Sequence, residues 1–297
     1  LLEKWGAIDR AFVEEHTAGY DAWAAHVREL DWDVVDAATG LPREQVEELA
    51  RMIADSDATI YCWAMGLTQH RNAVATIKEV VNLALVRGDI GKPGAGICPV
   101  RGHSNVQGQR TVGISEKPEL VPLDRLAQQY AFLPPRTKGL DTVGTVAGVL
   151  DGSVRAFIGL GGNFVRAAPE TARLENAWRR LRLSVQVATK LNRSHLVCGE
   201  VTLLLPCLGR LERDTQASGD QTVTTEDSTT CIHASFGTHD PAADTLLSEP
   251  AIVAGIARAT LPDNPNVPWQ VWGDDYARVR DAIEATYPDP FRDFNAR

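Results

Sequence analysis

The stretch Ala58-Thr-Ile-Tyr-Cys-Trp63, followed by Met65-Gly-Leu-Thr-Gln-His70 and then by the apolar-periodic residues 72–86, decides how this chain is read. The first six residues are apolar, β-branched and aromatic, which predicts a strand. Residues 72–86 predict a helix, with Val74, Ile77, Val81 and Leu85 on its inward face. Residues 65–70 are then a strand-to-helix loop. Upstream, residues 41–55 predict another helix: Pro42 suits the first turn, and Val46, Leu49, Ala50 and Ile53 recur at helical spacing. Downstream, residues 88–108 hold six glycines and two prolines and read as loop. Helix, strand, loop and helix in this order are the local grammar of a doubly wound sheet.

Residues 117–140 form a connector carrying Pro118, Pro122, Pro134 and Pro135, and a domain boundary is expected inside it. Beyond it, residues 142–150 predict a helix. Residues 154–160 predict a strand ending at Gly159-Leu-Gly-Gly-Asn163. Residues 169–181 predict an amphipathic helix with Leu174, Ala177, Trp178 and Leu181 inward. Two further strands are expected over 183–188 and 201–205. Residues 211–239 are polar and read as loops and short hairpins, whereas 248–259 and 274–286 read as capped helices. The expected fold class is α/β: two doubly wound, Rossmann-like units with a small irregular α+β C-terminal part. The expected division is 1–118, 119–240, and a helical return segment over 241–297.

Composition excludes some function classes. Apolar residues make up 44% and charged residues 23% of the 297, which is ordinary for a globular protein. The formal charge of −9 argues against a nucleic-acid partner, because phosphate binding needs a basic face. No apolar run is long enough to cross a membrane, so membrane insertion by this segment is not expected. The five cysteines, Cys62, Cys98, Cys198, Cys207 and Cys231, form no C-x-x-C pair, and neither a zinc ribbon nor an iron–sulfur motif is visible. Reduced thiols in a cytoplasmic setting are expected. Cys231-x-His233 is a poor ligand spacing, and no metal site is expected among these residues.

Two glycine-rich, amide-rich segments carry the chemistry. Glycines let a backbone approach a ligand closely, and free N–H groups bind anionic oxygens. Met65-Gly-Leu-Thr-Gln69 and Gly91-Lys-Pro-Gly-Ala-Gly96, with Pro99-Val-Arg-Gly-His-Ser-Asn-Val-Gln-Gly108 after them, resemble the molybdopterin oxidoreductases, in particular the formate-dehydrogenase alpha-subunit-like branch. The resemblance is sharpest over residues 58–108 and 154–235. It implies a molybdenum bis(molybdopterin guanine dinucleotide) cofactor, bis-MGD, and two-electron redox chemistry on a small-molecule substrate. It also implies that Met65, Gly66, Thr68, Gln69, Gly102, Asn105, Gln107 and Gly108 contact the cofactor. Arg101 would lie near the molybdenum pocket, where a permanent guanidinium charge holds an anionic substrate or stabilises negative charge. His103 would be a proton shuttle or a hydrogen-bonding support. Formate dehydrogenases more often read Arg-Gly-x-Asn-Asn where this chain reads Arg101-Gly-His-Ser-Asn105, which leaves the substrate open.

In the second half, Gly159-Leu-Gly-Gly-Asn-Phe164 is not a full G-x-G-x-x-G, and no acidic residue follows at the distance an NAD site needs. By the resemblance, Gly161, Gly162 and Asn163 cradle a pyrophosphate of one guanine dinucleotide, and Thr189 and Lys190 contact its nucleotide half. Pro206, which ends an apolar strand by removing a donor, matches the family's Leu-Pro strand end. Glu212 and Asp214 either orient the following loop or sit in solvent. The family's [4Fe–4S] cysteine motif, its molybdenum ligand and its C-terminal barrel lie outside these residues, and an electron-transfer subunit is a possible partner. The 297 residues alone are therefore expected to catalyse nothing. A non-redox nucleotide-binding scaffold, or a family member acting in acid stress without formate activity, stays open as an alternative.

Overall fold

The structure, a computed structural model, describes residues 1–296. They form two compact units, Leu1–Ser104 and a second from Asn105 onward. The boundary expected at residue 118 lies inside the second unit, at a 3-10 turn over Pro118–Leu120. Residues 119–240 and those from 241 onward belong to that same unit.

The first unit opens with three short helices, α1 (Arg10–His16), α2 (Tyr20–Arg28) and α3 (Trp32–Thr39). Their apolar repeats are too short to announce them, but caps define two of them. The Asp9 carboxylate accepts the Phe12 amide at 3.0 Å and Asp31 accepts the Asp33 amide at 2.9 Å. Helix α4 (Arg43–Asp55) follows, with Pro42 as its cap residue rather than inside the first turn. Strand β1 (Ile60–Trp63), a 3-10 turn over Met65–Thr68, helix α5 (Ala73–Val86) and strand β2 (Gly96–Pro99) complete the unit. β1 and β2 pair in parallel, from Ile60 opposite Gly96 to Trp63 opposite Pro99. Residues 88–108 are thus not all loop. Gly96 and Pro99 are poor strand formers by themselves, and pairing with β1 overrides that preference. On α5, Val74 is 72% exposed instead of inward, and the fully buried side chains are Ala84 and Val86 near its carboxyl end.

The second unit begins with α6 (Val106–Thr111), α7 (Leu123–Tyr130) and α8 (Thr142–Asp151). Then come β3 (Ala156–Leu160), α9 (Phe164–Ala167), α10 (Thr171–Trp178), β4 (Leu183–Ala188) and β5 (Val201–Pro206). The three strands are parallel in the order β3-β4-β5. A hairpin of β6 (Thr215–Gln216) and β7 (Gly219–Asp220) follows, then one of β8 (Val223–Glu226) and β9 (Ile232–Ser235). Helices α11 (Glu249–Thr260), α12 (Trp269–Asp274) and α13 (Tyr276–Thr286) close the unit. The hairpins and the two outer helices match expectation; α12 is an addition.

Neither parallel sheet reverses its strand order among the described residues. The link from β4 to β5 carries only a 3-10 turn over Arg193–Leu196. The described residues form a mixed helix–strand fold with two small parallel sheets, of two and three strands, and two short antiparallel hairpins.

Strand β4 is central and buried from Ser184 to Ala188. Successive side chains of a strand alternate between faces. Phe157 packs on one face with Val149, Val165, Leu174, Ala177, Trp178 and Leu181. Val187 and Leu205 pack on the other with Cys207, Ile252 and Ile256. The Trp178 ring lies 4.8 Å from that of Phe157 and 5.9 Å from that of Phe164. Trp178 is fully buried, and its indole Nε1 finds no acceptor among the described residues. Trp178→Ala is expected to destabilise this unit by about 3–5 kcal/mol. Trp178→Phe keeps an aromatic ring, removes the unpartnered donor and is expected to cost less; urea unfolding of both variants checks the order.

Candidate functional site

The two loops singled out in the first unit leave the carboxyl ends of β1 and β2, which parallel pairing places side by side. The Val100 amide still donates to the Trp63 carbonyl at 2.7 Å, so pairing persists to the loop roots. After Ala64 the chain turns through Met65–Thr68, where the Thr68 hydroxyl donates to the Met65 carbonyl at 3.1 Å. The other loop approaches here: a Cβ on Gly102 would sit 3.4 Å from the Met65 sulfur. Met65, Gly66, Thr68 and Gln69 are all exposed, as are Arg101, Gly102 and His103. His103 makes no side-chain hydrogen bond or ion pair with the described residues.

Below these loops a buried carboxylate fixes the register. Asp89, 1% exposed, accepts the Tyr61 hydroxyl at 2.9 Å and the Thr59 amide at 3.4 Å, and lies 3.1 Å from the Lys92 ammonium. Burial, and then the Asp89 carboxylate, push the Tyr61 phenol far above its usual range, so it stays a donor. Asp89 and Lys92, within the glycine-rich residues 88–108, thus anchor β1. Sequence reading singled out neither Asp89 nor Lys92, because an Asp-x-x-Lys in a glycine-rich loop looks solvated until the fold buries it.

In the second unit the loops after β3 and β4 also converge. Gly161 and Gly162 have φ of +69° and +79°, a region that favours glycine, and no atom lies within 4 Å of a Cβ on either. The N–H groups of Gly162 and Asn163 find no acceptor among the described residues. Asn192 bridges the loops, its side-chain amide donating to the Gly162 carbonyl at 2.9 Å. Ser194 donates to the Asn163 side-chain oxygen at 2.5 Å and accepts the Arg166 amide at 3.3 Å. The Asn192 amide donates to His195 Nδ1 at 3.1 Å, which leaves the proton of the neutral ring on Nε2. Thr189 and Lys190 stand on the loop after β4, exposed and without side-chain partners among the described residues. The Asn192–Ser194–His195 brace escaped sequence reading; its trace was Asn192 placed to cap a short turn.

Asn105, Gln107 and Gly108 behave differently. The Asn105 side chain donates to the Thr224 carbonyl at 3.1 Å and accepts the Glu226 amide at 3.0 Å, so both ends of its amide are bound to the β8 backbone. Gln107 donates to the buried Glu226 carboxylate at 2.7 Å. A Cβ on Gly108 would lie 2.2 Å from the Asn105 side-chain oxygen, so glycine is needed for that clamp. These side chains hold α6 to β8. Pro206 ends β5 opposite Ala188, and burial raises the Cys207 thiol after it. Glu212 accepts the Gly209 and Ala242 amides, each at 2.5 Å, and these two bonds pull its carboxyl below the usual range. Asp214 accepts the Tyr276 hydroxyl at 2.6 Å. Both carboxylates therefore orient the segment after β5. No group of three or more His, Cys, Asp and Glu side chains converges as a metal site among the described residues.

Gly108→Ala must displace an Asn105 side chain held by two hydrogen bonds, at an expected cost of about 1–3 kcal/mol. In an Asn105→Ala background the same change should cost far less, and a double-mutant cycle by urea unfolding reads that coupling. Glu212 has a folded pKa below its unfolded value. Its contribution is present above the unfolded glutamate range and is lost as pH falls through the depressed value. Glu212→Gln should therefore flatten the acid limb of stability against pH, measured by thermal unfolding across that range.

No family model matches the chain. It is 49% identical over 281 residues to the uncharacterized oxidoreductase Rv2900c of Mycobacterium tuberculosis, a match covering 95% of this chain and 36% of the relative. It is 46% identical over 290 residues to protein YdeP of Escherichia coli K12, covering 98% of this chain and 38% of the relative. The putative formate dehydrogenase YrhE of Bacillus subtilis is 36% identical over 108 residues, 36% of this chain and 11% of the relative. Among solved structures, acetylene hydratase from Pelobacter acetylenicus superimposes with a TM-score of 0.55 at 14% identity, over 92% of this chain and 39% of that one. The chain thus shares its fold with part of acetylene hydratase. It spans little more than a third of the length of Rv2900c and YdeP, and over that span it is homologous to Rv2900c, a protein named as an uncharacterized oxidoreductase.

Proposed function

We propose that the chain is part of a longer molybdenum-dependent oxidoreductase, related to formate dehydrogenases, that binds bis-MGD and acts on a small substrate. The observation that carries this reading is the set of open donors after β3. Free N–H groups at Gly162 and Asn163 beside two glycines with open space suit the oxygens of a pyrophosphate. The unpartnered Lys190 and Thr189 add a cation and a hydroxyl for the nucleotide half. Homology to proteins named oxidoreductases, one a putative formate dehydrogenase, supports the reaction class.

These residues fit the group, and their shares differ. The amides after β3 bind phosphate oxygens, and Lys190 balances their charge. In the first unit, Met65, Gly66, Thr68, Gln69 and Gly102 offer an exposed, sparsely filled surface to the pterin end. The Arg101 guanidinium orients an anionic substrate. His103 takes or gives a proton at an imidazole nitrogen. When bound, the molybdenum cofactor supplies the two-electron step, and the chain supplies binding, orientation and electrostatics. In this reading the [4Fe–4S] centre and the electron-transfer subunit belong with the full-length protein.

A nucleotide-binding scaffold without redox chemistry is the second reading. It is favoured by Asn105, Gln107 and Gly108, whose side chains and space are used in holding β8. Full-length protein from cells competent to make the cofactor separates the two. About one molybdenum and about two acid-released guanine nucleotides per polypeptide are expected for the enzyme. Lys190→Ala should weaken guanine nucleotide retention roughly tenfold, as loss of one charge-assisted contact does. Guanine nucleotide without molybdenum would favour the scaffold, and absence of both would overturn both readings.

A further inference from the structure

Cys62 and Cys98 occupy matching positions on the parallel strands β1 and β2. In-register neighbours on paired strands project to the same face. Both residues are exposed, and burial and then the neighbouring Cys98 thiol hold the Cys62 thiol above its usual range. The remaining cysteines have no such partner: Cys207 is buried, the Cys198 thiol donates to the His195 carbonyl, and Cys231 lies against the Thr229 hydroxyl. Nothing in the redox reading above uses this pair.

We propose that Cys62 and Cys98 form a redox-reactive dithiol that a low-molecular-weight disulfide converts into a reversible cross-strand disulfide. Paired strands lie about 4.8 Å apart, inside the roughly 4.4–6.8 Å Cα separation that a disulfide bridges. The backbone therefore needs no rearrangement. A disulfide there would place the Cβ atoms about 3.5–4.5 Å apart, and an exposed disulfide of this kind is readily reduced. A metal occupant is disfavoured, because no third His, Cys, Asp or Glu converges on the two sulfurs among the described residues.

The reaction balances as thiol–disulfide exchange. One cysteine thiolate attacks a sulfur of the low-molecular-weight disulfide, breaking its S–S bond and releasing one small thiol. The second cysteine thiolate attacks the protein sulfur of the mixed disulfide and releases the other small thiol. Two electrons pass from the cysteine sulfurs to the oxidant, and the two cysteine protons end on the released thiols. The bond forms at the roots of both exposed loops, shortly before Met65 and Arg101, so its closure restrains the mouth of the β1–β2 sheet.

The test uses the full-length protein and oxidised glutathione, followed by differential alkylation and mass mapping. The expected result is joint loss of alkylation at Cys62 and Cys98, a Cys62–Cys98 cross-linked peptide pair, and recovery with dithiothreitol. Cys62→Ser and Cys98→Ser should each retain a glutathione adduct on the remaining cysteine. Continued labelling of Cys62 and Cys98 while Cys198 and Cys231 take up glutathione would overturn the proposal. So would separate adducts on Cys62 and Cys98 without the cross-link. Mapping of the unsubstituted protein decides the matter even where a variant fails to fold. The readout involves no molybdenum and no turnover, so it stands or falls apart from the enzymatic reading.

Discussion

Parallel strand pairing is the constraint from which the candidate site follows. Paired parallel strands point their carboxyl ends the same way, so the loops that leave them emerge side by side. This happens once at β1–β2 and again at β3–β4. In each case side-chain hydrogen bonds brace the chain at the paired strands or the loops that leave them, beside the apolar packing. Asp89 ties Thr59, Tyr61 and Lys92 together below one pair of loops. Asn192 and Ser194 tie the other pair to each other. A buried carboxylate or amide left without partners costs more than it contributes when paired, so these braces favour one register over its alternatives.

The same chemistry explains why similar side chains serve different ends. Asn105 and Asn163 both stand in glycine-containing loops just before a short helix. Asn105 spends both ends of its amide on the β8 backbone, and Gly108 leaves room for it to do so. Asn163 uses its side-chain oxygen on Ser194 and leaves its backbone N–H without an internal acceptor. An amide already satisfied inside the fold has little left for a ligand, whereas an exposed unpaired N–H beside open space has its full capacity. By this criterion Gly162 and Asn163, with Thr189 and Lys190, offer the open polar groups of the candidate site in this unit.

Homology extends over nearly all of this chain but over little more than a third of Rv2900c and YdeP. Against the acidic balance of the chain, −9, Lys190 and Arg101 are local cations on exposed loops. The Cys62–Cys98 pair lies at the roots of the two exposed loops that leave β1 and β2.

Local sequence determined much of the element order. The burial of Leu174, Ala177, Trp178 and Leu181 was legible in their spacing, and β4 spans the expected residues 183–188. The glycine loops after β1 and β3 were legible for the same reason, since period and turn chemistry are local properties. What tertiary structure decided was everything that depends on distant partners. Strand β2, built on Gly96 and Pro99, exists because β1 supplies its hydrogen bonds. Val74 faces outward although its spacing matched an inward face, because the packing of α5 is concentrated near Ala84 and Val86. Asn105 reads as a loop amide until β8 comes back, more than a hundred residues later, to claim it. Sequence spacing sets which groups lie on one face of one element; long-range pairing sets which of them remain free.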